Sequence, residues 1–300
     1  MENNNFKSGF VAVIGRSNVG KSTLINNILK SHFLIVSPKA QTTRNKIKGI
    51  YTTETEQIVF IDTPGLHKST NKLGEVMNEF AYDSLVGVDV VVMVVDVSKK
   101  CGPGDKFVIE KLPTKIPCIL VLNMVDKVKS EEVLMENINS YKELFPFKNG
   151  ITISATNSFN VDKLLEIIVN NLPYGPKYYP DDQALDLNVR FVVCEIIREK
   201  ILLLTNDEVP HSVAVTIESF KEKEDIVEIN ATIITERQSE KKIIIGHDGS
   251  MIKRIGHDAR LDIKKLLDKK VYLELFVKVE KDWRNNKTQL KEYGYHNDDY

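Results

Sequence analysis

The chain has 300 residues, of which 42% are apolar and 28% are charged, and its formal net charge is −1. This balance is typical of a soluble globular protein, and no apolar run approaches the about 20 residues that cross a bilayer. The net charge gives no overall attraction to nucleic acid, so a basic surface would have to be local. The first residues, MENNNFKSGF, lack the segments of a signal peptide, and we expect the protein to stay in the cytoplasm.

The first 170 residues alternate short apolar runs with segments of helical spacing. We predict strands at residues 10–14, 46–51, 57–62, 89–96, 118–123 and 150–154, and helices at residues 21–30, 72–85, 104–112, 130–144 and 161–171. Most of the strands are too uniformly apolar to be exposed on one face. Such strands, separated by helices, imply a parallel sheet that is covered on both faces. The fold class that we predict is therefore α/β, with a doubly wound, mostly parallel sheet.

A segment with three prolines and one glycine, LPYGPKYYPDDQ at residues 172–183, predicts an extended linker. Beyond it, the pattern predicts a smaller α+β domain in the order α-β-β-α-α-β, at residues 190–203, 212–219, 226–235, 238–245, 250–267 and 271–279. The limits that we predict are 1–173 for the first domain, 174–189 for the linker, 190–285 for the second domain and 286–300 for a polar, frayed C-terminal tail.

Residues 15–22, GRSNVGKS, fit the pattern G-x-x-x-x-G-K-[ST] and lie between a predicted strand and a predicted helix. Glycines let such a loop curl until successive backbone N–H groups face an anion at the positive end of the helix. Lys21 adds a charge for the β- and γ-phosphates, and the Ser22 hydroxyl is placed for Mg²⁺. The nucleotide contacts that we predict here are Gly15, Ser17, Asn18, Val19, Gly20, Lys21, Ser22 and Thr23.

A second acidic element follows, where the sequence DTPG begins at the end of the strand predicted at residues 57–62. Asp62 can hold Mg²⁺ through water, and the N–H of Gly65 can face the γ-phosphate. Between the two elements lies SPKAQTTRNK, residues 37–46, a polar loop that can close over the γ-phosphate. We expect Thr43 rather than Thr42 to complete the metal shell. The predicted metal ligands are Ser22, Thr43 and Asp62.

The strand at residues 118–123 leads into Asn123-Met124-Val125-Asp126, close to the Asn-Lys-x-Asp by which GTP-binding proteins recognise guanine. The Asp126 carboxylate can accept both guanine N1–H and N2–H, and Asn123 can tie this loop to the phosphate loop. Met124 keeps an unbranched stem on which the base can lie and lacks only the charge. We therefore expect guanine specificity with binding weakened by about ten- to a hundredfold. Alternatively, N-x-x-D after a strand is only a helix-capping sequence.

The last predicted strand of the first domain leads into Ser154-Ala155-Thr156. The backbone N–H of Ala155 can donate to guanine O6, which would reject the amino group of adenine. That contact does not depend on the side chain at position 156. We add these three residues to the predicted nucleotide contacts.

Taken in order, the motifs GRSNVGKS, QTTR, DTPGLH, NMVD and SAT, followed by LPYGPKYYP, EIIREK, EVPHSVAV and IIIGHDGSMIKRIGHDAR, resemble those of the Era family of bacterial GTPases. The resemblance covers nearly the whole chain. It implies a P-loop NTPase domain that binds GTP or GDP with Mg²⁺, joined to a type II KH domain. It also implies binding to the 3′ end of 16S rRNA, a role in rRNA processing and 30S subunit assembly, and loose association with the inner membrane. We expect no DNA partner.

Leu66 follows DTPG, where Ras-like enzymes have the glutamine that orients the attacking water. Era-type GTPases share this apolar residue, so the resemblance implies that backbone groups, a cation or a partner place the water. Asn18 stands where potassium-dependent relatives have a cation-coordinating asparagine. We therefore predict slow hydrolysis aided by K⁺, with the alternative that Asn18 only braces the loop. The residues that we assign to catalysis are Asn18, Lys21, Thr43 and Gly65.

In a KH fold, a G-x-x-G loop between two helices binds the backbone of about four nucleotides. Here Gly246-His247-Asp248-Gly249 stands where the family commonly has G-K-G-G. Residues 237–270 carry ten Lys and Arg against five Asp and Glu, a local excess that suits an RNA backbone. The RNA contacts that we predict are Lys242, Gly246, His247, Gly249, Lys253 and Arg254.

Three departures from the family pattern favour an alternative function. Met124 and Thr156 replace lysines, and Asp248 would repel phosphate. The protein would then be an RNA-binding KH module whose nucleotide site has decayed. The hypothesis of an ATP-dependent kinase with the same phosphate loop has less support, because the sequence contains no recognisable lid and no recognisable base for a phosphate acceptor. We favour the GTP-hydrolysing switch, in which nucleotide binding alters how the KH domain presents its RNA-binding groove.

Overall fold

The computed structural model describes residues 5–31, 34–37, 39, 41–206 and 209–296. Pro38 and Ala40 of the predicted loop 37–46 lie outside these residues, as does the end of the predicted tail, 297–300. The described chain forms two compact units. The first consists of the described residues of Met1–Leu34, Thr43–Thr70 and Gly74–Asp186, and the second of those of Ile35–Thr42, Asn71–Leu73 and Leu187–Tyr300.

The first unit is built on a sheet that has seven strands in the described part of the chain. These are β1 (Lys7–Ile14), β2 (Ile47–Thr52), β3 (Glu56–Asp62), β4 (Val90–Asp96), β5 (Cys118–Asn123), β6 (Asn149–Thr152) and β7 (Leu185–Asp186). They lie in the order β6-β5-β4-β1-β3-β2-β7, and all are parallel except β2. The central strand β4 is buried along nearly its whole length, as its valine-rich sequence requires. The predicted α/β class with a mostly parallel sheet is confirmed.

Helices alternate with these strands. They are α1 (Lys21–Ile28), α2 (Lys72–Asp83), α3 (Pro103–Ile109), α4 (Glu131–Lys142) and α5 (Val161–Asn171). Ser130 caps α4 by accepting the N–H of Val133, and α3 begins with a proline, which suits a first helical position. Because β1, β3 and β5 are parallel, their carboxyl ends bring Gly15, Asp62 and Asn123 to one edge of the sheet.

Part of the segment predicted as a linker is extended and bound to the first unit. The buried carboxamide of Gln57 accepts the N–H groups of Tyr178 and Tyr179 over 2.7 and 3.0 Å and donates to the Tyr179 carbonyl over 2.8 Å. The short strand β7 then pairs with β2. The sequence did not predict β7, because a two-residue strand has no period and its partner lies more than a hundred residues earlier.

The second unit contains α6 (Val189–Leu204), α7 (Val209–Ser212), β8 (Ala214–Glu222), β9 (Ile226–Thr235), α8 (Gln238–Ile245), α9 (Ser250–Leu267), β10 (Lys270–Val279) and α10 (Lys287–Glu292). The middle strand β9 is antiparallel to β8 and parallel to β10. Ile197 of α6, Ile244 of α8 and Ile255 of α9 share a core with these strands. The predicted order α-β-β-α-α-β is present, with the short helices α7 and α10 added. Of the helices in the described ranges, none has the length and apolar character that a membrane crossing needs.

A buried ion pair lies on α6. Arg198 is 1% exposed, and it donates from Nε and Nη2 to the two carboxylate oxygens of Glu195 over 2.8 and 2.6 Å. Nη2 also donates to the carbonyl oxygen of Thr42, which belongs to the same unit. Removing one partner of such a pair would leave an uncompensated buried charge.

The expectation of a frayed tail is wrong for residues 286–296. The Asn286 side chain accepts the N–H groups of Thr288 and Gln289 and so begins α10. Leu290 and Tyr295 are buried, and the Tyr295 ring stacks on the buried Trp283 with centroids 5.9 Å apart. Leu290 and Tyr295 help to anchor this segment, although the composition around them predicts a tail.

Candidate nucleotide site and KH loop

The phosphate loop between β1 and α1 has a curled backbone. Its Gly15, Asn18 and Gly20 have φ angles of 152°, 64° and 93°. A Cβ on Gly15 would lie 2.3 Å from the Val94 carbonyl oxygen, and one on Gly20 would lie 2.3 Å from Asn123 Nδ2. Glycine is therefore required at both positions, and the loop has the form of an anion nest. The other predicted contacts, Ser17, Val19, Ser22 and Thr23, lie in this loop or in the first turn of α1.

Lys21 is buried at the start of α1, with 6% of its surface exposed. Its ammonium donates to the carbonyl oxygens of Gly15 and Arg16 over 3.3 and 2.9 Å. Burial lowers the pKa of Lys21 from 10.5 to about 8, against the opposing charge of Asp62. Bound phosphates would raise this pKa again, because an opposite charge favours the protonated form.

The three predicted metal ligands meet beside the phosphate loop. Ser22 Oγ lies 2.7 Å and Thr43 Oγ1 lies 3.2 Å from Asp62 Oδ2, and both hydroxyls can donate to it. The two hydroxyl oxygens are 2.9 Å apart. Asp62 is 1% exposed, and its Oδ1 makes no hydrogen bond to the described residues. Burial raises the pKa of Asp62, and Lys21 opposes the shift.

This set of oxygen atoms fits Mg²⁺. A buried carboxylate oxygen without a partner is costly, and a cation would remove that cost. Mg²⁺ is commonly held by one or two carboxylates, with waters and phosphate oxygens completing an octahedral shell. Within the described ranges, no group of three or more His, Cys, Asp or Glu forms a metal site elsewhere.

The two threonines of loop 37–46 have different partners. Thr42 Oγ1 donates to the carbonyl oxygens of Lys39 and Ser37 over 2.7 and 3.3 Å. Thr43 is 8% exposed and lies against Asp62. The threonine that we expected at the metal is therefore the one that lies with the other candidate ligands.

Gly65 lies directly against the phosphate loop. A Cβ at this position would lie 2.4 Å from the backbone nitrogen of Ser17, so only glycine allows the approach. The next residue, Leu66, donates its N–H to the Gly15 carbonyl over 3.2 Å, and its side chain is buried in the core of the unit. A leucine in the core cannot orient a water molecule, which agrees with the prediction that other groups do so.

Asn123 joins three loops at the base end of the site. It is 2% exposed, and its Nδ2 donates to the Val19 carbonyl of the phosphate loop over 2.8 Å. Its Oδ1 accepts the N–H of Ala155 over 2.9 Å. One buried amide thus holds the phosphate loop, the loop after β5 and the loop after β6 together.

The second of these bonds corrects an expectation. The N–H of Ala155, which we expected to face guanine O6, donates to Asn123 Oδ1 instead. The reason is that the buried amide oxygen of Asn123 needs a donor, and Ala155 supplies the N–H that reaches it. Ser154 is also buried and pairs with Phe159 through both backbone groups, whereas Thr156 is exposed.

Met124 and Asp126 lie at the rim of this end. Met124 has a left-handed φ of 67°, and its Cε lies 3.9 Å from the place of a Cβ on Gly20. A single 3₁₀ turn, Val125–Lys127, follows and leaves Asp126 exposed. The Asp126 carboxylate makes no hydrogen bond within the described residues, so both of its oxygens can accept from a ligand.

The G-x-x-G loop joins α8 and α9 in the second unit. Gly246 and Gly249 both have φ of 74°, and a Cβ on Gly246 would lie 2.7 Å from the Cβ of Met251. The side chains of His247 and Asp248 are 94% and 89% exposed. The predicted contacts Lys242 on α8 and Lys253 and Arg254 on α9 are exposed as well. The loop tip is therefore open to a ligand, with basic side chains on both flanking helices.

Comparison with known proteins covers both halves of the chain. Residues 10–124 match the model of a family described as a 50S ribosome-binding GTPase, and residues 208–284 match the KH domain model. Two crystal structures resemble the whole chain: Aquifex aeolicus Era bound to GDP and AlF4−, and Era in complex with MgGDPNP and nucleotides 1506–1542 of 16S ribosomal RNA. Each is 37% identical to this chain with a TM-score of 0.93, over 97% of this chain and 99% of its own. The chain belongs to the Era family.

As a member of the Era family, the protein is a P-loop GTPase whose mostly parallel sheet is followed by a KH domain, as the motifs predicted. One feature of this site was not predicted from the sequence. Arg16 of the phosphate loop donates from Nε to Asp105 over 2.6 Å, and Asp105, 1% exposed, also accepts the N–H of Gly102 over 3.0 Å. This ion pair ties the phosphate loop to α3. The N-terminal acid of α3 is visible in the sequence, but nothing local points to a partner 89 residues away.

Proposed function

We propose that this Era-family protein is a GTP-binding and GTP-hydrolysing switch that binds 16S rRNA through its KH domain and assists rRNA processing and 30S subunit assembly. The observation that carries the proposal is likeness over 97% of the chain to an Era structure that contains both MgGDPNP and 16S rRNA nucleotides. The local geometry supports it, because a nucleotide cradle and an exposed G-x-x-G loop stand in the same chain.

In this proposal, the phosphate loop and Lys21 bind the phosphates of GTP or GDP. Ser22, Thr43 and Asp62 hold Mg²⁺, which neutralises charge between the β- and γ-oxygens when it is bound. Asp126 accepts the guanine N1–H and N2–H groups, and the side chain of Met124 covers the purine. The remaining contacts come from residues around these groups: Gly15, Ser17, Asn18, Val19, Gly20, Thr23, Gly65, Asn123, Ser154 and Thr156.

Hydrolysis in this protein depends on groups other than a glutamine side chain. Leu66 is buried, so the attacking water is placed by backbone groups near Gly65, by Thr43 and by a cation. We assign K⁺ to a site beside Asn18, which is exposed and has a left-handed φ of 64°. Equal hydrolysis rates in sodium and potassium buffers would remove K⁺ from the proposal and leave the GTPase intact.

The KH half binds RNA through its loop and the adjoining basic side chains. Gly246 and Gly249 let the RNA backbone approach, and the exposed His247 lies at the tip, with the exposed Lys242, Lys253 and Arg254 on the two flanking helices. The partner is the 3′ end of 16S rRNA in the 30S subunit, not DNA. We place the protein in the cytoplasm with peripheral association to the inner membrane, and we keep 1–173, 174–189 and 190–285 as the limits of the GTPase domain, the linker and the KH domain.

Fluorescence anisotropy with a labelled 16S 3′ fragment tests the RNA part. The variant Lys253→Ala/Arg254→Ala removes two phosphate contacts, and we expect it to weaken RNA binding by about tenfold or more at low salt. Lys264→Ala/Lys265→Ala removes two exposed lysines of the same helix and is the matched control. Equal losses in both variants, or no loss in the first, would contradict the assigned surface.

The rival function is an RNA-binding KH module with a decayed nucleotide site, which Met124, Thr156 and Asp248 motivate. It predicts RNA binding by the full chain together with no GTP hydrolysis above the level of a Lys21→Ala variant. The switch predicts hydrolysis that Lys21→Ala abolishes while RNA binding in the absence of nucleotide is kept.

A further inference from the structure

A lysine lies beside Met124, the residue that stands where GTP-binding proteins have the lysine of Asn-Lys-x-Asp. Lys127 Nζ is 3.4 Å from Met124 Sδ, within reach of a weak hydrogen bond to the thioether. Both residues belong to the loop after β5 and to the first unit.

The backbone holds the two side chains together. The N–H of Lys127 donates to the Met124 carbonyl over 3.0 Å, and Val125–Lys127 forms one 3₁₀ turn. Met124 precedes this turn with a left-handed backbone, and the Nζ–Sδ distance shows that the Lys127 side chain reaches the Met124 thioether. The Cε of Met124 in turn lies 3.9 Å from the place of a Cβ on Gly20, so the thioether extends toward the phosphate loop.

The ammonium is available to a ligand. Lys127 is exposed, and none of the carboxylates in the described residues forms an ion pair with it. A cation near the face of an aromatic base is attracted to it electrostatically, and the same cation adds positive potential near the phosphate loop.

We propose that Lys127 supplies the positive charge that Met124 lacks, with the methionine thioether as the surface for the base and the lysine ammonium beside it. Met124 and Lys127 together thus provide the apolar surface and the positive charge that one lysine provides in the Asn-Lys-x-Asp motif. This proposal rests on the proposed guanine nucleotide site. It implies that methionine in place of the motif lysine lowers nucleotide affinity less in this protein than it would in a site without Lys127.

Calorimetric titration of the full chain with GDP and with GTP in Mg²⁺ tests the role. Lys127→Met should weaken both nucleotides alike, by about two- to fivefold at low salt, the range of an exposed cation near an aromatic ring. The difference should shrink at about 0.5 M salt, because screening acts on charges and not on packing. In steady-state hydrolysis, KM should rise while kcat is unchanged, because the base is bound equally in ground and transition states. Lys129→Met, an exposed lysine two residues further, is the matched control and should leave affinity unchanged.

A double-mutant cycle with Met124→Lys makes the test specific. The gain in affinity from Met124→Lys should be larger in the Lys127→Met protein than in the native one, because the native protein already has the charge. Equal gains in both backgrounds, or equal effects of Lys127→Met and Lys129→Met, would overturn the role of Lys127. Neither result would contradict the proposed GTPase, which fails if the native protein binds no guanine nucleotide or hydrolyses GTP no faster than the Lys21→Ala variant.

Discussion

The two ends of the nucleotide site are built in different ways. At the phosphate end, Lys21, Thr43 and Asp62 are each at most 8% exposed, and they are fixed by hydrogen bonds to the backbone or to one another. At the base end, Met124 is half-buried, and Asp126 is exposed on a single 3₁₀ turn. Asn123 connects the two ends from a buried position.

The difference explains where the sequence can depart from the family pattern. A buried polar group that loses its partner costs about 1–3 kcal/mol, so the phosphate end admits few substitutions. An exposed side chain that loses a charge costs much less, because solvent replaces the interaction. The substitutions that raised doubt about the site, Met124 and Thr156, both lie at the base end.

The largest effect on stability is expected at the buried junction. Asn123→Ala leaves the Val19 carbonyl and the Ala155 N–H without partners, so the free energy of unfolding should fall by about 2–5 kcal/mol. Chemical denaturation of Asn123→Ala and of Met124→Ala measures the comparison. The methionine variant should lose less than about 1 kcal/mol, since it removes only a half-buried apolar side chain. If both variants lose a similar free energy of unfolding, the buried junction at Asn123 contributes no more to stability than the rim at Met124.

Substitution of the exposed Asp126 should change nucleotide specificity without changing the free energy of unfolding. Asp126→Asn removes the acceptor of two guanine N–H groups and should weaken GTP binding by about a hundredfold. The same variant should gain binding of xanthosine triphosphate, whose O2 atom can accept from the new amide. Calorimetry with both nucleotides checks this, and an unchanged base preference would remove Asp126 from its role.

The pH dependence of binding tests the buried lysine. In the free protein, burial holds the pKa of Lys21 at about 8, and bound phosphates should raise it. Binding therefore takes up a proton above pH 8, and affinity should fall by up to about tenfold per pH unit as pH rises. Calorimetric titration with GDP at pH 8.5 in two buffers of different ionisation enthalpy measures the proton uptake. Mg²⁺ is omitted so that metal binding at Asp62 does not contribute to the signal. Constant affinity up to pH 9 with no proton uptake would contradict a lysine of lowered pKa.

The smallest effect is expected from a pair of adjacent threonines. Thr43→Ala removes a hydroxyl beside Asp62 and should raise the Mg²⁺ concentration needed for half-maximal GTP hydrolysis, by about three- to tenfold. Thr42→Ala is the matched control, because the Thr42 hydroxyl donates to carbonyls of its own loop. If the two variants show the same Mg²⁺ dependence, Thr43 is not a metal ligand.

The sequence predicted most of this architecture because local signals and long-range packing agree in it. The strands that lead to Gly15, Asp62 and Asn123 are apolar in their last four or five positions before these residues, and each is followed by or ends at a recognisable motif. The features that were not predicted from the sequence depend on partners far along the chain. The strand β7 depends on β2, Arg16 depends on Asp105, and the C-terminal helix α10 is anchored by contacts of Leu290 and Tyr295 that composition does not reveal.

One donor was predicted at the right residue with the wrong partner. The position of Ala155 after β6 follows from the motif, but the pattern cannot tell that the oxygen of Asn123 takes its N–H. Side-chain pairs such as Met124 and Lys127 are equally hidden, because the sequence gives their spacing and not the turn that brings them together.

The buried phosphate end keeps this a nucleotide site, and Asp126 at the base end keeps it specific for guanine although Met124 and Thr156 depart from the family pattern. Calorimetric titration of the native protein with GTP, GDP and ATP in Mg²⁺ tests it most directly. We predict micromolar or tighter binding of GTP and GDP and no measurable binding of ATP. Binding of all three with similar affinity would show that the base is not recognised, and binding of none would show that the site has decayed.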